Sequence, residues 1–173
     1  MSQTEMTEEK TAEDGCLCPS GQRGEDEDVP ATERLSTRTC PFPPDDGNSH
    51  LYVMIDTNAF MIPVRFRVDI FGELRRLGFS RFVVPEAVIR ELDGLSKKKS
   101  GTDKAAARTA RRMAEKCCVI PGKGYADDII EEQASLYGIA VLTNDAALKK
   151  RLSEKNVKVI SLRQKTHLEP VMR

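Results

Sequence analysis

Short apolar runs, each bounded by turn-forming residues, recur along the chain from residue 51 onward. The runs at 51–55, 81–84, 119–121, 139–143 and 157–162 have the length and apolar content of buried strands. Between them, helical spacing or helix-start residues predict helices at 70–77, from Pro85 onward, from 102 or 103 to about 116, at 127–137 and at 145–152. Strands that alternate with helices in this way predict an α/β fold with a parallel sheet covered on both faces.

Residues 1–50 have a different character, because Ser, Thr, Glu, Asp, Gly and Pro dominate and no apolar run is long enough for a core element. Such a segment cannot bury enough apolar surface to offset the entropy lost on ordering. We therefore predict a disordered acidic tail at 1–50 and one domain at 51–173. The chain lacks the pattern of a signal peptide or a membrane span, so we expect a cytoplasmic protein without membrane contact.

The formal net charge of zero conceals an asymmetry between these two parts. Residues 1–50 contain 4 Lys or Arg and 12 Asp or Glu, a net charge of −8. The remainder contains 23 basic and 15 acidic residues, a net charge of +8. A basic domain suggests a polyanionic partner. The five cysteines form no even disulfide framework, and reduced thiols are the simpler interpretation.

Four acidic residues lie at or near the ends of predicted strands and the starts of helices. Asp56 follows the first strand, Asp145 follows the strand at 139–143, and Asp127 and Asp128 open the helix before that strand. Right-handed crossovers place the carboxyl ends of parallel strands at one sheet edge, where ligands bind. Each acid alone is more often a helix cap. Together they predict a site for a hard divalent cation, which prefers oxygen ligands and offsets the repulsion between carboxylates.

A fifth acid, Glu91, lies within the helix that Pro85 opens. At 100° per residue it falls on the flank of the apolar stripe that contains Val88, Leu92 and Leu95. A carboxylate at the border of a buried helix face can be held firmly over the sheet edge. We therefore include Glu91 in the candidate site.

A basic ridge is predicted beside this helix. One face of the next helix carries four cations, and the loop before it carries three more: Lys104, Arg108, Arg111 and Arg112, then Lys97, Lys98 and Lys99. At 100° per residue, a separate face of that helix is predicted to be its packed face: Ala105, Ala106, Thr109, Ala110 and Met113. An ordinary solvated helix face explains the pattern equally well. Beside a carboxylate site, contact with the phosphates of RNA is the functional alternative.

Four motifs in order resemble the PIN-domain nucleases. They are MIDTN at 54–58, VPEAVIREL at 84–92, YADDII at 125–130 and LTND at 142–145. The order and spacing are similar across essentially all of residues 51–165. The YADD run is most similar to archaeal PIN proteins and to the related eukaryotic factors that process small-subunit ribosomal RNA.

This resemblance implies a three-layer α/β/α domain with a five-stranded parallel sheet, and an endoribonuclease that depends on Mg²⁺ or Mn²⁺. It implies catalytic roles for Asp56, Glu91, Asp127 and Asp145, and supporting roles for Thr57, Asn58, Asp128 and Asn144. In the family, the acid precedes an apolar position by three residues and a small one by seven. Asp127 satisfies this with Ile130 and Ala134, so we rank it above Asp128.

Phosphodiester hydrolysis needs an activated water and relief of charge on the phosphoryl oxygens, and metal ions provide both. We expect Asp56, Asp127 and Asp145 to hold the metal, and Glu91 to position a water or take its proton. A phosphatase of the haloacid dehalogenase type is disfavoured, because Asn58 occupies the position of its second acid.

Two other functions stay open: a non-cleaving RNA-binding or ribosome-assembly module, and a toxin ribonuclease with an antitoxin partner. The sequence does not distinguish ribosomal, transfer or messenger RNA as substrate. PIN relatives often form dimers, so a homodimer is an expectation from the resemblance.

Overall fold

A computed structural model describes Phe42, Pro44, residues 47–98 and residues 101–171 of the 173-residue chain. Of Lys98, Gly101 and Thr102 it describes the backbone alone. After a 3₁₀ turn at Ser49–Leu51, the elements are β1 (Tyr52–Ile55), α1 (Thr57–Phe60), α2 (Ile62–Phe66), α3 (Ile70–Arg76), β2 (Arg81–Pro85), α4 (Glu86–Lys98), α5 (Gly101–Ala114), β3 (Cys118–Ile120), α6 (Ala126–Tyr137), β4 (Ala140–Leu142), α7 (Ala146–Glu154), β5 (Val159–Arg163) and β6 (His167–Pro170).

The described strands form one sheet in the order β3-β2-β1-β4-β5-β6. Strands β1 to β5 are parallel to one another, which confirms the predicted α/β fold with five parallel strands. Every residue of β1 and β4 is buried, so helices cover both faces of the sheet centre.

The sixth strand, β6, was not predicted, and it pairs antiparallel with β5. Its sequence gives little signal, because only Leu168 is buried and the tight turn before it contains neither Gly nor Asn. That turn instead holds Gln164 at φ 49° and Lys165 at φ 62°. Helix α3 covers the outer edge of β6. The side chain of Arg76 donates to the carbonyl of Leu168 at 2.8 Å, and the carboxylate of Glu73 accepts from the backbone N–H of Leu168 at 2.9 Å.

Other differences from prediction concern element ends and faces. Helices α1 and α2 were not predicted, and Pro85 ends β2 where it was expected to open α4. The buried face of α5 is also rotated from the predicted one, so that Ala105 and Thr109 are exposed. Small side chains fill that buried face and allow α5 to lie close to α4: Ala106, Ala107, Ala110 and Ala114.

Most of the predicted tail, residues 1–41, lies outside the described residues. Upstream of β1, the ring of Phe42 packs edge-on against Tyr137 at the end of α6, with 5.1 Å between ring centroids. The domain boundary at residue 50 stays a prediction. Within the described part of the chain, every helix is too short or too polar to cross a membrane.

Candidate active site

Asp56 lies at the centre of the carboxyl edge of the sheet. It directly follows β1, and its backbone N–H donates to the carbonyl of Leu142, the last residue of β4, at 3.1 Å. Its surface is only 3% exposed. Burial raises the pKa of Asp56 to about 6; a hydrogen bond from Thr143 opposes this rise, and the charge of Asp127 adds to it. A buried acid with a perturbed pKa beside a groove is a candidate functional group.

The hydroxyl of Thr143 links two of the predicted acids. It donates to Asp56 Oδ2 at 2.9 Å and accepts from the backbone N–H of Asp145 at 3.0 Å. Thr143 is fully buried, and its hydrogen bond to Asp56 is shielded from water, whereas the one from Asp145 is only partly buried. Sequence reasoning treated Thr143 only as a strand residue. Its place directly between the strand end and the acid in the LTND motif is the signal that could have identified it.

Glu91 reaches the same edge from α4. The buried hydroxyl of Thr57, the residue after Asp56, donates to Glu91 Oε2 at 2.6 Å. This hydrogen bond fixes the carboxylate of Glu91 toward the start of α1, in agreement with its predicted position on the flank of the apolar stripe. Thr57 therefore orients a neighbouring acid with its side chain.

A groove of about 600 Å³ lies over these residues. Its lining includes Asp56, Glu91 and Asp127, together with the side chains of Arg90 and Tyr125. A second groove of about 670 Å³ lies beside β6 and contains none of the four candidate acids. The first groove is the candidate active site, because the predicted chemistry converges there.

The structure separates the roles of the two adjacent acids at the start of α6. Asp127 lines the groove, and burial raises its pKa; the charges of Asp145 and Glu91 add to the rise, while Arg151 opposes it. Asp128 is exposed and forms an ion pair with Arg151 at 2.6 Å. The geometry therefore favours Asp127 as the residue that faces a ligand, and Asp128 as a surface partner of α7.

The LTND motif also contributes to the local backbone. Asp145 caps α7 by accepting from the N–H of Leu148 at 2.8 Å. Asn144 accepts from the N–H of Leu162 at 3.0 Å and thereby ties the end of β4 to β5. Asn144 is thus positioned to hold the edge together, while the exposed Asn58 lines the groove.

The donor set of the groove suits a hydrated divalent cation. No three His, Cys, Asp or Glu side chains within the described residues lie close enough together to enclose an ion directly. The four acids nevertheless influence one another, since Asp127 raises the pKa of Asp56, and Asp145 and Glu91 raise that of Asp127. An all-oxygen donor set fits a hard divalent cation that keeps several of its waters, such as Mg²⁺.

The predicted basic ridge is only partly available to a ligand. Lys97, Arg108 and Arg112 are exposed and Lys104 is half-buried, whereas Lys99 and the side chain of Lys98 lie outside the described residues. Arg111 is held by Asp93 at 3.1 Å and by Glu115 at 3.2 Å. These two ion pairs leave Arg111 less free to bind phosphate than the exposed cations.

Comparison with known proteins identifies the family of this fold and site. The model of the PIN like domain matches residues 53–165, a range that includes all four candidate acids. The chain belongs to the PIN-like domain family. This confirms the resemblance drawn from the four motifs. Strand β6 lies beyond the matched PIN-like region, which explains why a resemblance to the family implied five strands.

Two relatives of this PIN-like chain are named as nucleases. Ribonuclease VapC9 of Archaeoglobus fulgidus is 34% identical over 111 residues, which cover 64% of this chain and 82% of the relative. The solved structure of the PIN domain endonuclease Utp24 has a TM-score of 0.57 and 25% identity, and covers 69% of this chain and 90% of that one. A domain of a functionally unknown protein from Methanocaldococcus jannaschii has a TM-score of 0.47 and 17% identity, and covers 65% of this chain and 91% of that one.

Proposed function

We propose that this protein is an endoribonuclease that hydrolyses RNA phosphodiester bonds with the help of a divalent cation. The observation that supports this best is the groove lined by Asp56, Glu91 and Asp127, with Asp145 close enough to raise the pKa of Asp127. The names of the two nuclease relatives support the same reaction class.

In this proposal, Asp56, Asp127 and Asp145 hold a Mg²⁺ or Mn²⁺ ion, largely through water. The ion supplies charge relief at the phosphoryl group and lowers the pKa of a nearby water. Glu91, oriented by the hydroxyl of Thr57, accepts the proton of the attacking water. The hydroxyl of Thr143 keeps the carboxylate of Asp56 turned toward the groove.

Phosphates of the bound RNA are proposed to contact the exposed or half-buried cations of α4 and α5. These contacts do not depend on the RNA sequence. They weaken as the salt concentration rises, because the release of counterions from the RNA then contributes less to binding. The candidate contacts, in order along the chain, are Lys97, Lys104, Arg108 and Arg112. The cytoplasmic location, a homodimer, and an antitoxin or ribosome-assembly partner stay predictions from the sequence.

The test is to incubate the purified chain with a panel of structured and single-stranded RNAs in Mg²⁺, Mn²⁺ or EDTA. Internal cutting that requires a divalent cation supports the proposal. RNA binding without cutting in either metal would instead support a non-cleaving RNA-binding or ribosome-assembly module. If the chain neither binds nor cuts any RNA of the panel, the proposed substrate is wrong.

A further inference from the structure

Tyr125 has an unusually exposed aromatic ring at the mouth of the acidic groove. Its surface is 81% exposed, compared with 66% for Leu136, and these two are the most exposed large apolar side chains in the part of the chain that the structure describes. Tyr125 also lines the groove beside Asp56, Glu91 and Asp127. A large ring left in solvent directly beside the candidate reaction centre is available to a bound substrate.

Several contacts hold the backbone beneath this ring. Gly124 has φ +129°, a conformation that side chains disfavour, and a Cβ on Gly122 would come within 3.0 Å of Ile129. Arg90 also holds this loop through a hydrogen bond of 3.4 Å to the carbonyl of Gly122. The carbonyl of Tyr125 then accepts from the N–H of Ile129 in the first turn of α6.

The side chain of Tyr125 makes few contacts with the rest of the described chain. Within the described residues, no hydrogen bond to the hydroxyl of Tyr125 and no packing of its ring against another aromatic ring is found. The ring is therefore free to receive a flat partner at the mouth of the groove.

The charges around the ring favour a nucleotide over an apolar protein surface as its partner. Lys123 precedes Tyr125 by two residues and is exposed, and Arg90 lines the same groove. Asp127 and Asp128 follow Ala126 in the sequence. A docking face for a protein would be expected to continue into further apolar side chains. An isolated aromatic ring with an exposed cation, Lys123, two residues away is instead typical of surfaces that bind single-stranded nucleic acid, where bases stack on rings and cations bind phosphates.

We propose that Tyr125 stacks on an unpaired nucleobase of the RNA that the groove binds. A base inside a duplex is stacked on both sides and offers no free face to the ring. This inference rests on the proposed function, because it assigns a substrate contact at that same groove. It makes Tyr125 a residue that determines specificity.

Tryptophan fluorescence tests the stacking directly, since the natural chain contains no Trp. Tyr125→Trp is made in an Asp56→Asn background and titrated in EDTA with a short single-stranded oligoadenylate and with an RNA duplex. We expect the oligoadenylate to quench the fluorescence and the duplex to leave it nearly unchanged. The matched control, Leu136→Trp, places the reporter at an exposed position near the far end of α6 and should not respond.

Affinity provides the second measurement. We expect Tyr125→Ala to bind the oligoadenylate about tenfold or more weakly than the Asp56→Asn parent, whereas Tyr125→Phe should stay within about twofold because the ring remains. Leu136→Ala is the matched control and should bind like the parent. If Tyr125→Ala binds the oligoadenylate like its Asp56→Asn parent, and the single variant Tyr125→Ala cuts RNA like wild type, the stacking role is overturned while the proposed function stands, and a protein partner becomes the alternative for the ring. If wild type binds no RNA, both proposals fail.

Discussion

At the residue scale, Asp56 is kept in an environment that opposes its ionisation. Burial is the largest reason that its pKa rises from 3.8 to about 6. A shift of this size corresponds to about 3 kcal/mol between the protonated and ionised forms. The folded chain thus destabilises the ionised form of Asp56 at the groove, a feature more typical of functional sites than of surface ion pairs.

Asp56→Asn should therefore stabilise the metal-free protein at high pH. The folded pKa lies above the unfolded one, so stability falls as pH rises between about 4 and 6, and the full cost is present above about pH 6. Asn cannot ionise, yet it can still accept the hydrogen bond from Thr143. We expect urea denaturation in EDTA to show a gain of up to about 3 kcal/mol near pH 8 and little gain near pH 4.

The control for this experiment is Asp69→Asn, the same change at the exposed cap of α3. If Asp56→Asn is less stable than wild type by the same amount near pH 8 and near pH 4, burial does not oppose the ionisation of Asp56 as described.

Thr143 shows how one hydroxyl can organise two acids. Thr143→Val keeps the shape of the side chain but removes both the donor to Asp56 and the acceptor for the N–H of Asp145. We expect a loss of about 1–3 kcal/mol in the free energy of unfolding and a further rise in the pKa of Asp56. Thr143→Ser should recover most of the stability, and urea denaturation measures both. Equal stability of wild type and the Val variant would show that these hydrogen bonds contribute nothing.

At the element scale, charges join α6 to α7 behind the groove. Arg151 on α7 forms ion pairs with Asp128 and Glu131, and Lys155 binds Glu131 at 2.8 Å. Arg151 also lowers the pKa of Asp127, which burial and neighbouring acids raise. Sequence reasoning did not connect Arg151 to the site, because a contact across 23 residues leaves no local pattern.

Arg151→Met should shift the pH dependence of cleavage. Without the guanidinium, the pKa of Asp127 rises further, so the ionised form is lost at a higher pH as the solution is acidified. We expect the acid limb of the pH–rate profile to move to higher pH. Lys155→Met is the matched control, since it removes another cation of α7 that pairs with Glu131. Coincident profiles for the two variants would refute a specific role for Arg151.

Elements marked by an apolar run or by strong periodicity could be predicted from the sequence, and short elements that lack both signals could not. The five parallel strands were found because each is an apolar run between turn residues, as in β1. Strand β6 and helices α1 and α2 have at most five residues each, too few for a period to show. The buried face of α5 was misplaced because its apolar residues are nearly all alanines spread around the helix, which mark a buried face only weakly.

At the scale of the whole molecule, the parallel sheet brings distant residues to one edge. Asp56 and Asp145 follow the neighbouring strands β1 and β4, and this much could be predicted from sequence order and crossover handedness. The hydrogen bonds of Thr57 and Thr143 and the exposure of Tyr125 could not, because they depend on packing that local patterns do not encode.

Cleavage of one single-stranded RNA by wild type and Asp56→Asn, each in Mn²⁺ and in EDTA, tests the central claim most directly. We expect wild type to cut the RNA internally in Mn²⁺ and not in EDTA. We expect Asp56→Asn to be folded and to cut in Mn²⁺ at a rate at least about a hundredfold lower. Equal cutting by the two proteins, or cutting by wild type that persists in EDTA, would contradict a metal-dependent nuclease centred on Asp56.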